Sequence, residues 1–255
     1  MADERRQEKY SVMTTSVSFN RLAHQPAYRV VSEKIRDAIV SGEIRAGDLL
    51  PTETDLAEQF GVTRSTVREA IRLLEHGGIL GRAGRKRLVV TLPGAEAVGR
   101  SVSSAMLMHQ VTFEELWQVA MGLEPLAGKL ACLSATDEEK QLLADNLART
   151  EQVMEDHDAL LEVEIEFHNL VAESSHNSAL LLARAPLNEL FYPAWGAVIR
   201  ALSPGERILV AHRHVYDAIC AGDQDKAEEW MEKHMRDFRR GIEMGNLGFD
   251  QPVQG

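Results

Sequence analysis

Residues 51–76 read PTETDLAEQFGVTRSTVREAIRLLEH, and this stretch decides the fold of the N-terminal part of the chain. Thr52 can cap a short helix over 53–60 that Gly61 stops, and a second helix over about 64–76 begins after only Gly61, Val62 and Thr63. Two helices joined by three residues, with the small Ala57 in the first and Gly61 at the turn, have helix-turn-helix geometry. Ala57 lets the helices cross closely, and Gly61 supplies the left-handed backbone of a sharp turn. Leu56, Phe60, Val62, Val67, Ile71 and Leu74 then face inward. Thr63, Arg64, Ser65, Thr66 and Arg68 are left outward at the start of the second helix.

On the N-terminal side, Val30, Val31, Ile35, Ala38 and Ile39 repeat at helical spacing within 27–41, which ends at Ser41-Gly42. A turn-rich connector, 42–51, follows. On the C-terminal side, Gly77-Gly78 closes the second helix, and Ile79–Arg82 and Arg87–Thr91 read as two short strands around Ala83-Gly84. The hairpin tip is basic, with Arg82, Arg85, Lys86 and Arg87. Leu92-Pro93-Gly94 is the natural domain boundary, so a domain spans 20–92, preceded by a polar, flexible tail over 1–19.

From 93 to 250 the pattern is helical throughout, with no strand pattern and no repeat. Thr136 and Glu139 form a capping box. Ser203-Pro204-Gly205-Glu206 starts another helix with Ser203 as cap, and Gly222-Asp223 separates it from a last helix over about 225–244. The expected fold class is mainly α: a winged helix-turn-helix with a small β-hairpin wing, followed by an all-α helical bundle.

The 255 residues are 44% hydrophobic and 26% charged, which excludes a wholly disordered or collagen-like chain. No apolar run approaches a membrane span and the start lacks a signal peptide, so a cytoplasmic protein without a membrane partner is expected. Cys132 and Cys220 read as two buried, reduced thiols. Aromatic residues, at 5%, are too sparse for a single-strand stacking surface. The net charge of −11 is unevenly spread: residues 20–92 carry 12 Lys and Arg against 9 Asp and Glu, a net of +3, whereas residues 93–255 carry a net of −14. That asymmetry suits a nucleic-acid-binding module joined to something else.

The outward residues of the second helix have chemistry that suits duplex DNA. Hydroxyls and backbone N–H groups at a helix N-terminus fit phosphate oxygens, and a guanidinium can contact guanine bidentately in the major groove. Segment 28–91 resembles the DNA-binding domain of the GntR family of bacterial transcription regulators. The resemblance rests on Gly42, Gly47, Leu50-Pro51, Glu53, Leu56-Ala57, Phe60 to Arg64, Thr66 to Ile71, Leu74, Gly78 and Gly84. It implies a dimer on a palindromic double-stranded DNA operator, contacted through Thr63, Arg64, Ser65, Thr66, Arg68 and Gly84. Where many members have Arg after the Glu of the first motif helix, this chain has Thr54.

In the second half, Leu161, Glu164, His168 and Val171 share one stripe of a helix over about 157–174. His212 shares a stripe with Ile208, Val215 and Ile219, and His234 with Ala227, Met231 and Phe238. Three inward imidazoles and a carboxylate suit one divalent Zn, Ni, Mn or Fe. Spacing alone leaves a second reading open, three separate core histidines. Segment 113–240 resembles the FCD effector domain of the FadR subfamily, through Phe113 to Leu116, Leu123-Glu124-Pro125, Phe167-His168, Asn177, Ala211-His212, Gly222-Asp223 and Met231 to His234. The resemblance implies Glu164, His168, His212 and His234 as metal ligands, with Glu164 standing where the family has Asp. An Arg common on the first helix of that domain is Ala120 here. Asn177 reads as a turn cap, with an effector-cavity role as the alternative; His157 and His214 read as solvent-side, and Trp117, Trp195 and Trp230 as core or interface.

The expected function is a ligand-responsive bacterial transcription regulator, a repressor rather than an enzyme. Its partners would be an operator, a second copy of the chain and a small metabolite with an acidic group. A metal-dependent hydrolase built on the Glu/His cluster is the alternative from another class. A sequence-independent chromosome protein is a third.

Overall fold

The structure is a computed structural model that describes residues 25–84, 87–245 and 248–253. The expected tail over 1–19 and the tip residues Arg85 and Lys86 lie outside the described residues. The chain divides into two compact units, Met1–Thr91 and Leu92–Gly255.

The first unit contains α1 (Ala27–Val40), α2 (Glu53–Phe60) and α3 (Arg64–His76), followed by β1 (Leu80–Ala83) and β2 (Arg87–Val90). Thr52 and Asp55 form a reciprocal capping box at α2, and Gly61 ends it in the left-handed region at φ 63°. Thr63 Oγ1 accepts from Thr66 N at the start of α3. Val31, Ile35, Leu56, Val67, Ile71 and Leu74 bury together against Leu80, Leu88 and Val90 of the hairpin, so the helix stripes and the alternate strand positions meet in one core.

The strands pair antiparallel with Leu80 opposite Val90 and Ala83 opposite Arg87, and Gly84 turns the hairpin at φ 71°. Thr91 N donates to Ile79 O, so pairing runs one residue past β1 and β2 and reaches the outer strand ends read from sequence. The connector is more than turns. Leu50 N donates to Leu88 O and Val90 N to Asp48 O, and Leu49 bridges Val89, giving β2 a second neighbour.

The second unit is helical: α4 (Ala95–Met108), α5 (Phe113–Ser134), α6 (Asp137–Val153), α7 (His157–Glu173), α8 (Ser178–Leu190), α9 (Tyr192–Leu202), α10 (Gly205–Ala221) and α11 (Gln224–Met244). Capping boxes start α5 at Thr112/Glu115 and α6 at Thr136/Glu139. Two apolar clusters fill the bundle. One lies around Leu116, Phe191, Trp195 and Phe238, the other around Leu143, Phe167, Val215 and Met231. No helix among the described residues is long and apolar enough to cross a membrane.

Two expectations are corrected. Ser203 does not cap α10. It ends α9 in the left-handed region at φ 45°, and its Oγ lies 3.0 Å from His157 Nε2, leaving Pro204 to precede α10 without a side-chain cap. Cys220 is exposed and Cys132 only half-buried, both as free thiols. Cys220 falls on the outer face of α10, and Cys132 Sγ lies 3.6 Å from Ala218 O.

Candidate functional site

The outward end of α3 gathers the expected DNA-contact residues. Thr63 Oγ1 lies 2.8 Å from Ser65 Oγ and 2.9 Å from Thr66 Oγ1, so three hydroxyls cluster at the helix N-terminus. Arg64 and Ser65 are exposed beside them. Arg68 donates through Nε and Nη2 to Glu53 Oε2, at 3.2 and 3.0 Å. On the wing, Arg82 Nε donates to Glu75 Oε1 at 2.7 Å, and Gly84 holds the turn. Arg68 and Arg82 therefore each start with an acidic partner on their own unit. Thr54, exposed on α2, carries no cation.

In the helical unit, Glu164, His168, His212 and His234 converge with each residue's donor atom within 4.8 Å of the others. Glu164 and His168 sit one turn apart on α7, His212 comes from α10 and His234 from α11, and all four are buried. His234 Nε2 lies 2.9 Å from Glu164 Oε1, 3.2 Å from His168 Nε2 and 3.3 Å from His212 Nε2. One nitrogen carries at most one proton and cannot serve three neighbours as a donor. The lone pairs converge on a common point, which is the arrangement a cation satisfies.

The spacing fits as well. A tetrahedral ion with bonds near 2.0–2.1 Å holds its donors about 3.3 Å apart. Glu164 Oε2 is buried and accepts no well-formed hydrogen bond. Phe167 stacks on His212 with centroids 3.6 Å apart, and Trp195 on His234 at 5.3 Å. A cavity of about 440 Å3 between α9, α10 and α11 reaches His234, with Trp195, Ile208 and Phe238 as apolar walls and Arg207 and Arg240 among its polar residues.

Beside the cluster lies a buried network absent from the sequence reading. Glu124 Oε2 is 3.0 Å from His168 Nδ1, while Glu124 Oε1 accepts from Arg184 Nε at 3.1 Å and from the Tyr192 hydroxyl at 2.7 Å. Arg184 also donates to Tyr192 Oη at 2.8 Å and to Asn169 Oδ1 at 2.7 Å. The signal available in the sequence was a lone Arg184 inside the apolar run of α8, SALLLARAPLNEL.

Electrostatics follow the contacts. Burial alone would raise the Glu124 carboxyl, but the Arg184 guanidinium and His168 hold it down at about 2. Burial would lower His168, yet its hydrogen bonds to Glu124 and Glu164 raise it to about 9. His212, with burial dominant over the attraction of Glu164, falls to about 4. Asn177 is the N-cap of α8, with Oδ1 accepting from Leu180 N at 3.1 Å, so its carboxamide oxygen serves the cap. His157 bonds Ser203 as above, and the exposed His214 stacks on Trp230.

Comparison with known proteins yields two family matches. Residues 27–90 match bacterial regulatory proteins of the gntR family, and residues 115–237 match the FCD domain. The chain is 28% identical over 214 residues to the uncharacterized HTH-type transcriptional regulator YdhC of Bacillus subtilis (strain 168), spanning 82% of this chain and 88% of that one. It is 26% identical over 244 residues to the HTH-type transcriptional repressor NanR of Salmonella newport (strain SL254), spanning 91% and 92%. The solved structure of Streptococcus agalactiae GntR is similar in fold, with a TM-score of 0.61 at 24% identity, covering 84% of this chain and 99% of that chain.

Proposed function

Because the chain belongs to the gntR family of bacterial regulatory proteins, with an FCD domain behind its DNA-binding domain, we propose that it represses transcription from a palindromic operator as a homodimer and is released or tightened by an effector bound at the Glu/His cluster. The observation that carries this reading is the convergence of Glu164, His168, His212 and His234 in an effector-binding domain joined to a helix-turn-helix. These four residues would hold one divalent metal, which could expand its coordination beyond them to take an anionic or neutral oxygen donor. With neutral imidazoles, Glu124 and Arg184 cancel, and a divalent ion exceeds the single charge of Glu164. That excess favours an effector with an acidic group. The FCD match also supports a FadR-subfamily reading, and a cytoplasmic location follows from work on DNA.

For a dimer, two α3 helices would reach successive major grooves about 34–36 Å apart. Thr63, Arg64, Ser65, Thr66 and Arg68 would make the contacts, with Arg82, Arg85, Lys86 and Gly84 at the wing. Val119, Leu126 and Leu133 leave an exposed apolar stripe along α5, which supports pairing between helical units. The hydrolase alternative is set aside, because both matched domains and the named relatives belong to DNA-binding regulators rather than enzymes.

The test is selection of genomic fragments by the purified protein, followed by footprinting with excess unrelated DNA. Two protected, inverted half-sites whose affinity changes with metal and with small acids are expected. Protection without sequence preference would leave a chromosome-binding protein instead.

A further inference from the structure

We infer that Glu124 is the positioning residue of the metal centre: it holds His168 Nδ1–H and thereby turns the bare Nε2 of that ring toward the metal. This rests on the metal reading above.

The argument starts from which atoms must accept. Glu124 Oε1 receives Arg184 Nε and the Tyr192 hydroxyl, and Oε2 faces His168 Nδ1 at 3.0 Å. A carboxylate has no proton to give, so the proton of that contact sits on Nδ1. The opposite ring nitrogen, Nε2, is then the one whose lone pair a metal takes when it displaces the second proton of the ring. It lies 3.2 Å from His234 Nε2 and 3.4 Å from Glu164 Oε1, inside the donor cluster. A carboxylate behind a histidine fixes its tautomer and ring orientation and raises its basicity as a ligand.

Glu124 is itself fixed. It sits on α5, Arg184 on α8 and Tyr192 on α9, all three buried, and Arg184 ties the group to α7 through Asn169 Oδ1. Every hydrogen-bonding group of the Glu124 carboxylate has a partner, so the ring cannot flip without breaking a satisfied buried network. His212 provides the contrast: its Nδ1 is buried with no partner, and its ring is held by stacking on Phe167. Of the two, His168 is the ligand with a built support.

Glu124→Gln keeps the shape and inverts this logic. Arg184 and Tyr192 are donors and keep the single amide oxygen, which leaves the amide NH2 facing His168 Nδ1. The NH2 favours the tautomer with the proton on Nε2, where it competes with the metal. The experiment compares Zn2+ and Ni2+ dissociation constants by chelator competition in the full-length wild type, Glu124→Gln and Tyr192→Phe. Glu124→Gln is expected to bind about 10–100-fold more weakly, whereas Tyr192→Phe, which removes a donor to Glu124 and leaves the His168 contact, should bind within about twofold of wild type while melting lower. A purely structural role would move the melting temperatures of both and the affinity of neither. Equal affinities in wild type and Glu124→Gln overturn the inference alone, and a wild type that binds no metal overturns the metal reading with it. Should Glu124→Gln not fold, nitrogen-15 spectra of the zinc-loaded wild type decide the matter. His168 with a protonated Nδ1 and a metal-bound Nε2 supports the role, and metal on Nδ1 removes it.

Discussion

Arg68 in the first turns of α3 forms an ion pair with Glu53, the first residue of α2, through two donors to one carboxylate oxygen at 3.0 and 3.2 Å. The pair crosses the turn of the helix-turn-helix and holds the guanidinium on the outer face of the unit. With Arg68 half-exposed, it contributes little to stability, about 0.2–1 kcal/mol. Its consequence is for recognition, because an arginine already held by a partner loses less freedom on meeting a base.

Arg68→Ala is therefore expected to abolish specific operator binding while leaving the fold intact. Loss of one bidentate base contact removes about 1–3 kcal/mol of discrimination per half-site, read by fluorescence anisotropy on operator and scrambled duplexes. Glu53→Gln should weaken specific binding less. Wild-type selectivity in Arg68→Ala would take that side chain out of recognition.

What the sequence made legible was local. The helix-turn-helix was readable because Thr52, Gly61 and Thr63 each act on backbone groups within three or four residues. The Glu164/His168 pair was readable because one helical turn puts both on one stripe. Glu124, Arg184 and Tyr192 come from three helices, 60 and 68 residues apart in sequence, and no period links them. Ser203 misled for a physical reason: α9 runs to Leu202, so the chain must reverse at Ser203 and cannot adopt the extended backbone of an N-cap.

The two thiols should react at different rates. Burial, aided by the nearby Asp223 carboxylate, pushes the Cys132 thiol up to about 11, so about one molecule in a thousand holds its thiolate at pH 8. Cys220 is exposed. Titration of the native protein with Ellman's reagent at pH 8 should show one fast thiol per chain, removed by Cys220→Ser, and a second released by denaturant. Two fast thiols would mean that α5 and α10 open readily around Cys132.

Gly205 starts α10 against the end of α6, and a Cβ added there would stand 2.7 Å from the Met154 carbonyl oxygen and 3.0 Å from its Cα. Backbone atoms cannot swing aside as a side chain does. Gly205→Ala should cost about 1–3 kcal/mol, lowering the melting temperature by roughly 2–10 °C for a unit of this size. Because no cluster ligand lies at that contact, metal stoichiometry should be unchanged.

Metal removal tests the cluster through stability rather than activity. Bringing Glu164 and three imidazole nitrogens within 4.8 Å of one another in a buried site costs free energy unless a proton or a cation sits among them. In the metal-free protein His168, raised to about 9, supplies that proton at neutral pH, while His212, lowered to about 4, stays neutral. A divalent ion replaces the proton with twice its charge and satisfies all four donors, so it binds the folded state and not the unfolded chain. At a free concentration 100 times the dissociation constant it adds about 2.7 kcal/mol, or roughly 5–10 °C in melting temperature. Protein purified without a histidine tag should carry about one ion per chain by elemental analysis, and His212→Ala and His234→Ala should carry none and show no thermal shift when Zn, Ni or Mn is supplied. A wild type that melts at the same temperature with and without each of these ions would leave the three histidines as core residues.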